Sequence, residues 1–324
     1  MYAHVKWFVD DHGWQPHQLG DIISLHFLFW LGITLFALIL ATIINDRIER
    51  HCCVSKFLHG LDRLKRYQLT IMRVGLGLGL SLQLFTHSYL APTLKPDALW
   101  VYVVLILAIA GLTHRKLLPM SGIALAILST ETVLQYGLFH SLDYVFYAGI
   151  IYYLFAVNSN WNLPLLPVLY TSTGMSLAWL SMEKLTMPGL AESLIHEYGI
   201  PTFGFTADEF VMISAFIEIA LGWSFVLGIL NRFTAFLLSG MFLLTSLVFG
   251  FTEIVGHTVI HTLFIIFIIE GKGKSYALLQ FNHWPIWGRC TFVIISFCLL
   301  LFSLMAIYIW MGGVNTELIR IPNI

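Results

Sequence analysis

Long runs of apolar residues recur along the whole chain and are separated by short polar segments. A helix needs roughly 17–25 mostly apolar residues to cross the hydrocarbon core of a bilayer. The alternating apolar and polar pattern of a transmembrane β-barrel is absent. The pattern predicts an all-α integral membrane protein with about ten transmembrane helices, at residues 23–44, 69–90, 97–112, 117–138, 141–157, 165–186, 209–229, 233–252, 255–270 and 289–312.

Composition agrees with this pattern. Hydrophobic residues make up 58% of the chain and charged residues 11%, and the mean hydropathy is +0.82. Such a chain has too few polar residues to cover a water-soluble globule. The net charge of −1 and the lack of a basic patch beyond one loop argue against a nucleic acid partner. The expected partner is the lipid bilayer.

The positions of lysine and arginine predict the orientation. If the N-terminus is outside, thirteen of these residues fall in inner segments and four in outer segments. Cytoplasmic loops carry the excess of positive charge in membrane proteins. Both termini are therefore predicted to be outside, which in a bacterial cell makes this a multi-pass inner-membrane protein with periplasmic ends. Lys184, in an outer segment, is interpreted as a snorkelling interface residue.

Two stretches of the sequence resemble each other. "GLGLSLQLFTHSYLAPTL" ends one predicted helix in polar residues followed by Pro92, and "TGMSLAWLSMEKLTMPGL" ends another before Pro188. Aligning the two prolines places His87 opposite Glu183. Because each stretch opens a run of four helices that starts inside, the repeat is predicted to be parallel rather than inverted.

The predicted domains follow from this repeat. "LFHSLDYVFYAGIIYYLF" and "IVGHTVIHTLFIIFII" both begin at an outer surface, and they place His140 opposite His257. One further helix flanks the repeats at each end. The chain is divided into a periplasmic N-terminal segment, a first helix with a basic cytoplasmic loop, two tandem four-helix units, and a last helix with a periplasmic tail, at residues 1–22, 23–68, 69–157, 165–270 and 271–324.

The first helix of each unit also carries a family resemblance. It is glycine-rich and ends in a polar cluster followed by a proline, as in "MRVGLGLGLSLQLFTHSYLAP" and "GMSLAWLSMEKLTMPGL". In this it resembles the DoxX/DoxD family of membrane proteins, over about residues 69–270. The resemblance implies four helices per unit. As in some members, it also implies a link to quinone-dependent sulfur oxidation, redox defence or metal-associated gene products. The duplication and the flanking helices depart from the simple family pattern.

The segment "FTEIVGHTVIHTLF" places ionisable residues inside an apolar run. Glu253, His257 and His261 are four residues apart, so a helix with 3.6 residues per turn keeps them on one face. An unpaired charge in the hydrocarbon zone costs at least ~2.5–3.5 kcal/mol, and such residues normally face the interior of a bundle. We call these three residues the stripe, and we predict that they line a site in the outer leaflet.

Other helices are expected to complete this site. Carboxylates and imidazoles from facing helices bind metals in bundle cores. They also bind a quinone and carry its protons, and two histidines at similar depth can be axial ligands of a haem. A transition metal, a quinone and a haem therefore all stay open as cofactors. The candidate ligands are His87, His140 and Glu183, and the candidate proton-relay residues nearer mid-membrane are Glu131 and Glu218.

Three classes of function stay open. Histidines cluster on the predicted outer half, among them His4, His12, His17 and His26. This clustering suits a redox-linked quinone subunit or a metal-handling protein that docks a periplasmic redox or metal-carrying partner. A metal transporter would need a polar path to the cytoplasmic side, whereas the helix is apolar below His261. A scaffold or assembly partner without a ligand would use the same polar residues only to join helices.

Overall fold

A computed structural model describes residue 8 and residues 15–48, 60–159, 164–271 and 284–320. The regular structure of these parts is helical. The helices are α1 (Leu19–Ile22), α2 (Leu25–Ile48), α3 (Gln68–Phe85), α4 (Leu99–Leu112), α5 (Leu118–Ser141), α6 (Phe146–Ala156), α7 (Leu165–Thr186), α8 (Pro188–Glu197), α9 (Ala207–Leu227), α10 (Asn231–Phe249), α11 (Phe251–Glu270) and α12 (Ile286–Arg320). The predicted all-α class is confirmed for this part of the chain.

Seven helical stretches in the described residues are long and apolar enough to cross a membrane, which indicates a membrane-embedded protein. Their ranges are Leu25–Asn45, Gly60–Phe85, Arg115–Tyr144, Ala207–Leu227, Asn231–Phe249, Phe251–Glu270 and Ile286–Gly313. Three other predicted spans differ from these. The apolar helices α4 and α6 have only 14 and 11 residues, and α7 has 22 residues but carries many serines and threonines.

One predicted boundary is wrong because the backbone bends at a glycine. Gly137 has φ +80° inside α5, a conformation that glycine adopts without steric cost. The helix resumes after this bend and reaches Ser141, and a 3₁₀ turn leads on to α6. His140 therefore lies near the end of α5 and not at the start of the following helix.

The order of neighbouring helices determines which helices pack against the stripe on α11. Helices α3, α4, α5, α6, α7, α9, α10 and α11 each pack on the next, and α11 packs back on α3. Helices α2 and α12 pack on each other and on the pair formed by α7 and α9. The short α8 was not predicted, and it marks the end of the bundle that the sequence predicts to be outer. We call this the α8 end.

Small residues let two pairs of helices approach closely. A Cβ atom added to Gly79 of α3 would lie 2.5 Å from a methyl carbon of Val259 in α11, and one added to Gly75 would overlap Thr262. Glycines in a membrane helix, as in "RVGLGLGLSL", predict close packing against a neighbouring helix, and the contacts of Gly75 and Gly79 confirm this prediction. On the other side of the bundle, Gly174 of α7 and Gly222 of α9 face each other in the same way.

A charged network joins three helices at the opposite end of the bundle. The Lys65 ammonium lies 3.0 Å from an oxygen of Asp62 and 3.9 Å from an oxygen of Glu270. The Arg232 guanidinium lies 2.9 Å from the same oxygen of Asp62 and donates a hydrogen bond to the carbonyl of Ile269 at 2.8 Å. The network therefore ties the beginnings of α3 and α10 to the end of α11.

Replacing Gly271 with alanine should weaken this network. Gly271 follows α11 with φ +59°, and an added Cβ would collide with the guanidinium of Arg232. Backbone strain and displacement of the arginine should together cost about 1–3 kcal/mol. Thermal unfolding in detergent measures the loss. Gly240→Ala is the matched control, because no atom of the described residues lies within 4 Å of its added Cβ. An equal loss in both variants would contradict the prediction.

Candidate functional site

The stripe lies on α11, as predicted, and faces α10. Gly250, with φ +71°, reverses the chain between the two helices, so that they pack antiparallel. Glu253 and His257 are 1% and 3% exposed. Nδ1 of His257 lies 2.5 Å from Oε2 of Glu253. The imidazole stacks on the ring of Phe242 in α10, with ring centres 4.4 Å apart.

Polar residues of α10 extend this contact in both directions. The hydroxyl of Thr245 donates a hydrogen bond to Oε2 of Glu253 at 3.2 Å, and the hydroxyl of Ser239 lies 3.2 Å from Nδ1 of half-buried His261. With Phe242 between them, these residues recur every three positions along one side of α10. The sequence analysis did not identify them, although their helical spacing was the signal that could have done so.

The other predicted ligands stand on different helices. Glu183 is buried in α7, His140 lies near the end of α5, and Glu131 is half-buried in the middle of α5. His87 is exposed just after α3, with φ +52° and its ring 6.2 Å from that of Tyr102. The contacts described for His257, with Glu253 and Phe242, lie on α11 and α10 instead.

A buried ion pair connects α7 and α9. The ammonium of Lys184 donates a hydrogen bond to Oε2 of Glu218 at 2.6 Å. The side chain of Glu218 is 1% exposed and that of Lys184 is 16% exposed. The interpretation of Lys184 as a snorkelling residue is therefore wrong. Helices α7 and α9 approach closely at Gly174 and Gly222, and this packing brings the Glu218 carboxylate next to the Lys184 ammonium.

A cavity of about 240 Å³ opens beside this ion pair, at the α8 end of the bundle. The backbone N–H of His17 donates to the carbonyl of Thr186 at 2.8 Å and so holds the N-terminal segment against the end of α7. The sequence analysis missed this cavity because it depends on that contact between distant segments. The cavity is lined by His17, Asp21, Ile22, Ser24, Phe27, Lys184, Leu185, Pro188, Asp208 and Met212.

The surroundings of the cavity are acidic. Glu192 of α8 has a raised pKa, first because it is partly buried and then because the Asp208 carboxylate is near. His196 and His17 act in the opposite direction. Burial disfavours the charged form of this carboxyl, and repulsion by the Asp208 carboxylate adds to that effect.

No group of three or more His, Cys, Asp or Glu side chains in the described ranges is arranged to hold a metal ion. The stripe provides a carboxylate and imidazole couple rather than such a group. His17 and His26 are exposed at the α8 end. His4 and His12, which were predicted to cluster with them, lie outside the described residues.

Comparisons of the chain with models of protein families, with curated proteins and with solved structures found no match. The DoxX/DoxD resemblance therefore stays a prediction.

Proposed function

We propose that this protein is a redox-linked membrane subunit that binds a quinone headgroup and exchanges protons with it at His257. The observation that carries the proposal is the buried couple of Glu253 and His257, 2.5 Å apart within a membrane-spanning helix. Ionisable residues at such positions are expensive and usually functional. A docked redox protein would supply the electrons, while this chain would supply the binding site and the proton.

The chemistry of the couple suits this role. A carboxylate beside an imidazole fixes its tautomer and its orientation. Imidazole can donate a hydrogen bond to a quinone oxygen and can carry a proton to or from it. Glu253 is in turn held by the hydroxyl of Thr245, which orients the carboxylate toward His257.

The position of the couple suits a ligand that arrives from the lipid. Helix α10 covers the stripe, and its other side carries exposed leucines, of which Leu247 is 82% exposed. A single helix therefore stands between the imidazole and the hydrocarbon region. Below His261, the run from Leu263 to Ile269 is apolar, which favours a site served from one side over a transport path.

We also propose the tandem arrangement of two four-helix units within a chain that crosses the membrane ten times with both ends outside. Two seams between the units support it. At one seam Gly75 and Gly79 of α3 meet α11. At the other, Ser172 of α7 lies against Gly149 of α6, and Ser176 donates a hydrogen bond to the carbonyl of Asp143 in the turn before α6. Alignment of the two prolines carries positions 75 and 79 to 171 and 175, within one residue of the observed serines.

Replacing His257 with alanine should lower quinone affinity. A short-tailed benzoquinone is titrated into the purified protein in lipid nanodiscs, and bound quinone is extracted and counted per protein. Loss of the imidazole hydrogen bond should weaken binding about tenfold, which corresponds to about 1.4 kcal/mol. Glu253→Gln should weaken it less, because the amide still supports the ring. His87→Ala, at an exposed histidine after α3, is the matched control.

Melting temperatures of the same samples separate function from packing. If His257→Ala keeps the affinity of the parent protein and only melts earlier, the couple serves to join helices, as it would in a scaffold without a ligand. That result would refute the proposed function. A benzoquinone that fails to bind the parent protein would refute it as well.

A further inference from the structure

The cavity at the α8 end has two chemically different walls. Carboxylates stand on exposed positions of the N-terminal segment and at the start of α9, at Asp21 and Asp208. Apolar side chains, including Phe27, Leu185 and Met212, form the rest of the lining. At about 240 Å³ the cavity is smaller than the roughly 300–1,000 Å³ of pockets for drug-sized ligands. It suits a small ligand with one polar end.

The charge of the lining favours a cation at that polar end. Lys184 contributes a positive charge to the wall, but Glu218 neutralises it at 2.6 Å. Glu218 is fully enclosed between the helices, and its second carboxylate oxygen has no hydrogen-bond partner among the described residues. Lys184 is therefore held to the wall and is not available to bind an anion. Among the described residues, no ion pair forms at the carboxylate of Asp21 or of Asp208.

Groups next to the cavity also favour a cation. Glu192 of α8 is a third carboxylate near Asp208, and its pKa is raised first by burial and then by the Asp208 carboxylate, while His196 and His17 oppose the shift. A bound cation would lower the free energy of two carboxylates that line the same small cavity. A metal ion fits less well, since no group of three His, Cys, Asp or Glu ligands forms in the described ranges. An organic cation needs no such ligand group, because its ammonium can use two carboxylates while its carbon atoms contact the apolar wall.

We propose that this cavity binds a small organic cation, namely a protonated amine with a short apolar chain. The ammonium lies between Asp21 and Asp208, where it makes charge-assisted hydrogen bonds. The apolar chain lies against Phe27, Leu185 and Met212. The site is separate from the stripe, so the inference does not depend on the proposed quinone function.

Calorimetric titration of the purified full-length protein in detergent tests the site with four probes. We expect n-butylammonium to bind, methylammonium to bind more weakly because it lacks the apolar chain, and potassium and butyrate to give no saturable signal. Asp208→Asn should weaken n-butylammonium about tenfold, the loss expected from one charge-assisted contact of about 1.4 kcal/mol. Asp208 is exposed, so the variant should fold.

Glu197→Gln is the matched control, because it removes one exposed carboxylate at the end of α8, outside the cavity lining. It should change the affinity for n-butylammonium less than twofold. Four outcomes would overturn the proposal: no binding of n-butylammonium, equal binding of potassium or methylammonium, stronger binding of butyrate, or equal effects of Asp208→Asn and Glu197→Gln.

Discussion

Replacing Gly174 with valine should prevent α7 and α9 from packing and should sharply lower the yield of folded protein. A Cβ atom at this position would collide with the carbonyl oxygen of Gly222, and a methyl group of Val226 lies 2.9 Å away. Backbone atoms in a helix cannot rotate aside as a side chain can. Overpacking usually costs 1–3 kcal/mol, and this contact with backbone should cost about 3 kcal/mol or more.

The measurement is the fraction of monodisperse protein after purification, together with the melting temperature. Gly32→Val is the matched control, because its added Cβ, on the exposed side of α2, has no neighbour within 4 Å in the part of the chain that the structure describes. It should behave like the parent protein. A Gly174→Val variant with normal yield and an unchanged melting temperature would contradict the close approach of the two helices.

Replacing Lys184 with methionine should destabilise the protein strongly, by leaving Glu218 buried without its ion-pair partner. Removing one partner of a buried pair typically costs about 3–5 kcal/mol, since the remaining charge cannot be solvated. Replacing both residues, with Lys184→Met and Glu218→Leu together, should restore much of the stability. The free energy of unfolding of the two single variants and the double variant gives the coupling between the residues.

Lys95→Met serves as the control for the loss of a lysine at the same end of the bundle. Its ammonium is exposed and donates to the carbonyl of Thr86 at 3.3 Å, and surface substitutions of this kind usually change stability by less than about 0.5 kcal/mol. A double variant that is no more stable than Lys184→Met alone would show that the two residues do not act as a pair.

Local patterns in the sequence predicted several features correctly. The segment 165–186 was predicted as a helix and forms α7 over Leu165–Thr186. The spacing of the stripe placed Glu253 and His257 on one buried face, and the glycines of α3 predicted a close helix contact. Each of these predictions depends on the period of a single helix, which is encoded within about twenty residues.

Features that depend on which helices are neighbours were not predicted. The pairing of Lys184 with Glu218 requires α7 to pack on α9, and the covering of His257 by Phe242 requires the reversal at Gly250. The cavity needs a backbone contact between His17 and the end of α7. None of these is a local property, so the periodicity of individual segments cannot reveal them.

The short helix α4 bears on the membrane itself. Its 14 residues span about 21 Å at 1.5 Å per residue, well below the ~30 Å hydrocarbon thickness of a typical bilayer. Leu99, Val103 and Ile106 on this helix are exposed, so lipid tails meet it directly in the proposed ten-helix arrangement. A short hydrophobic surface is accommodated by compression of the lipid beside it, at a fraction of a kcal/mol per Å. The bilayer should therefore be thinner along this flank, and thinner membranes should accept the protein more readily than thick, sterol-rich ones.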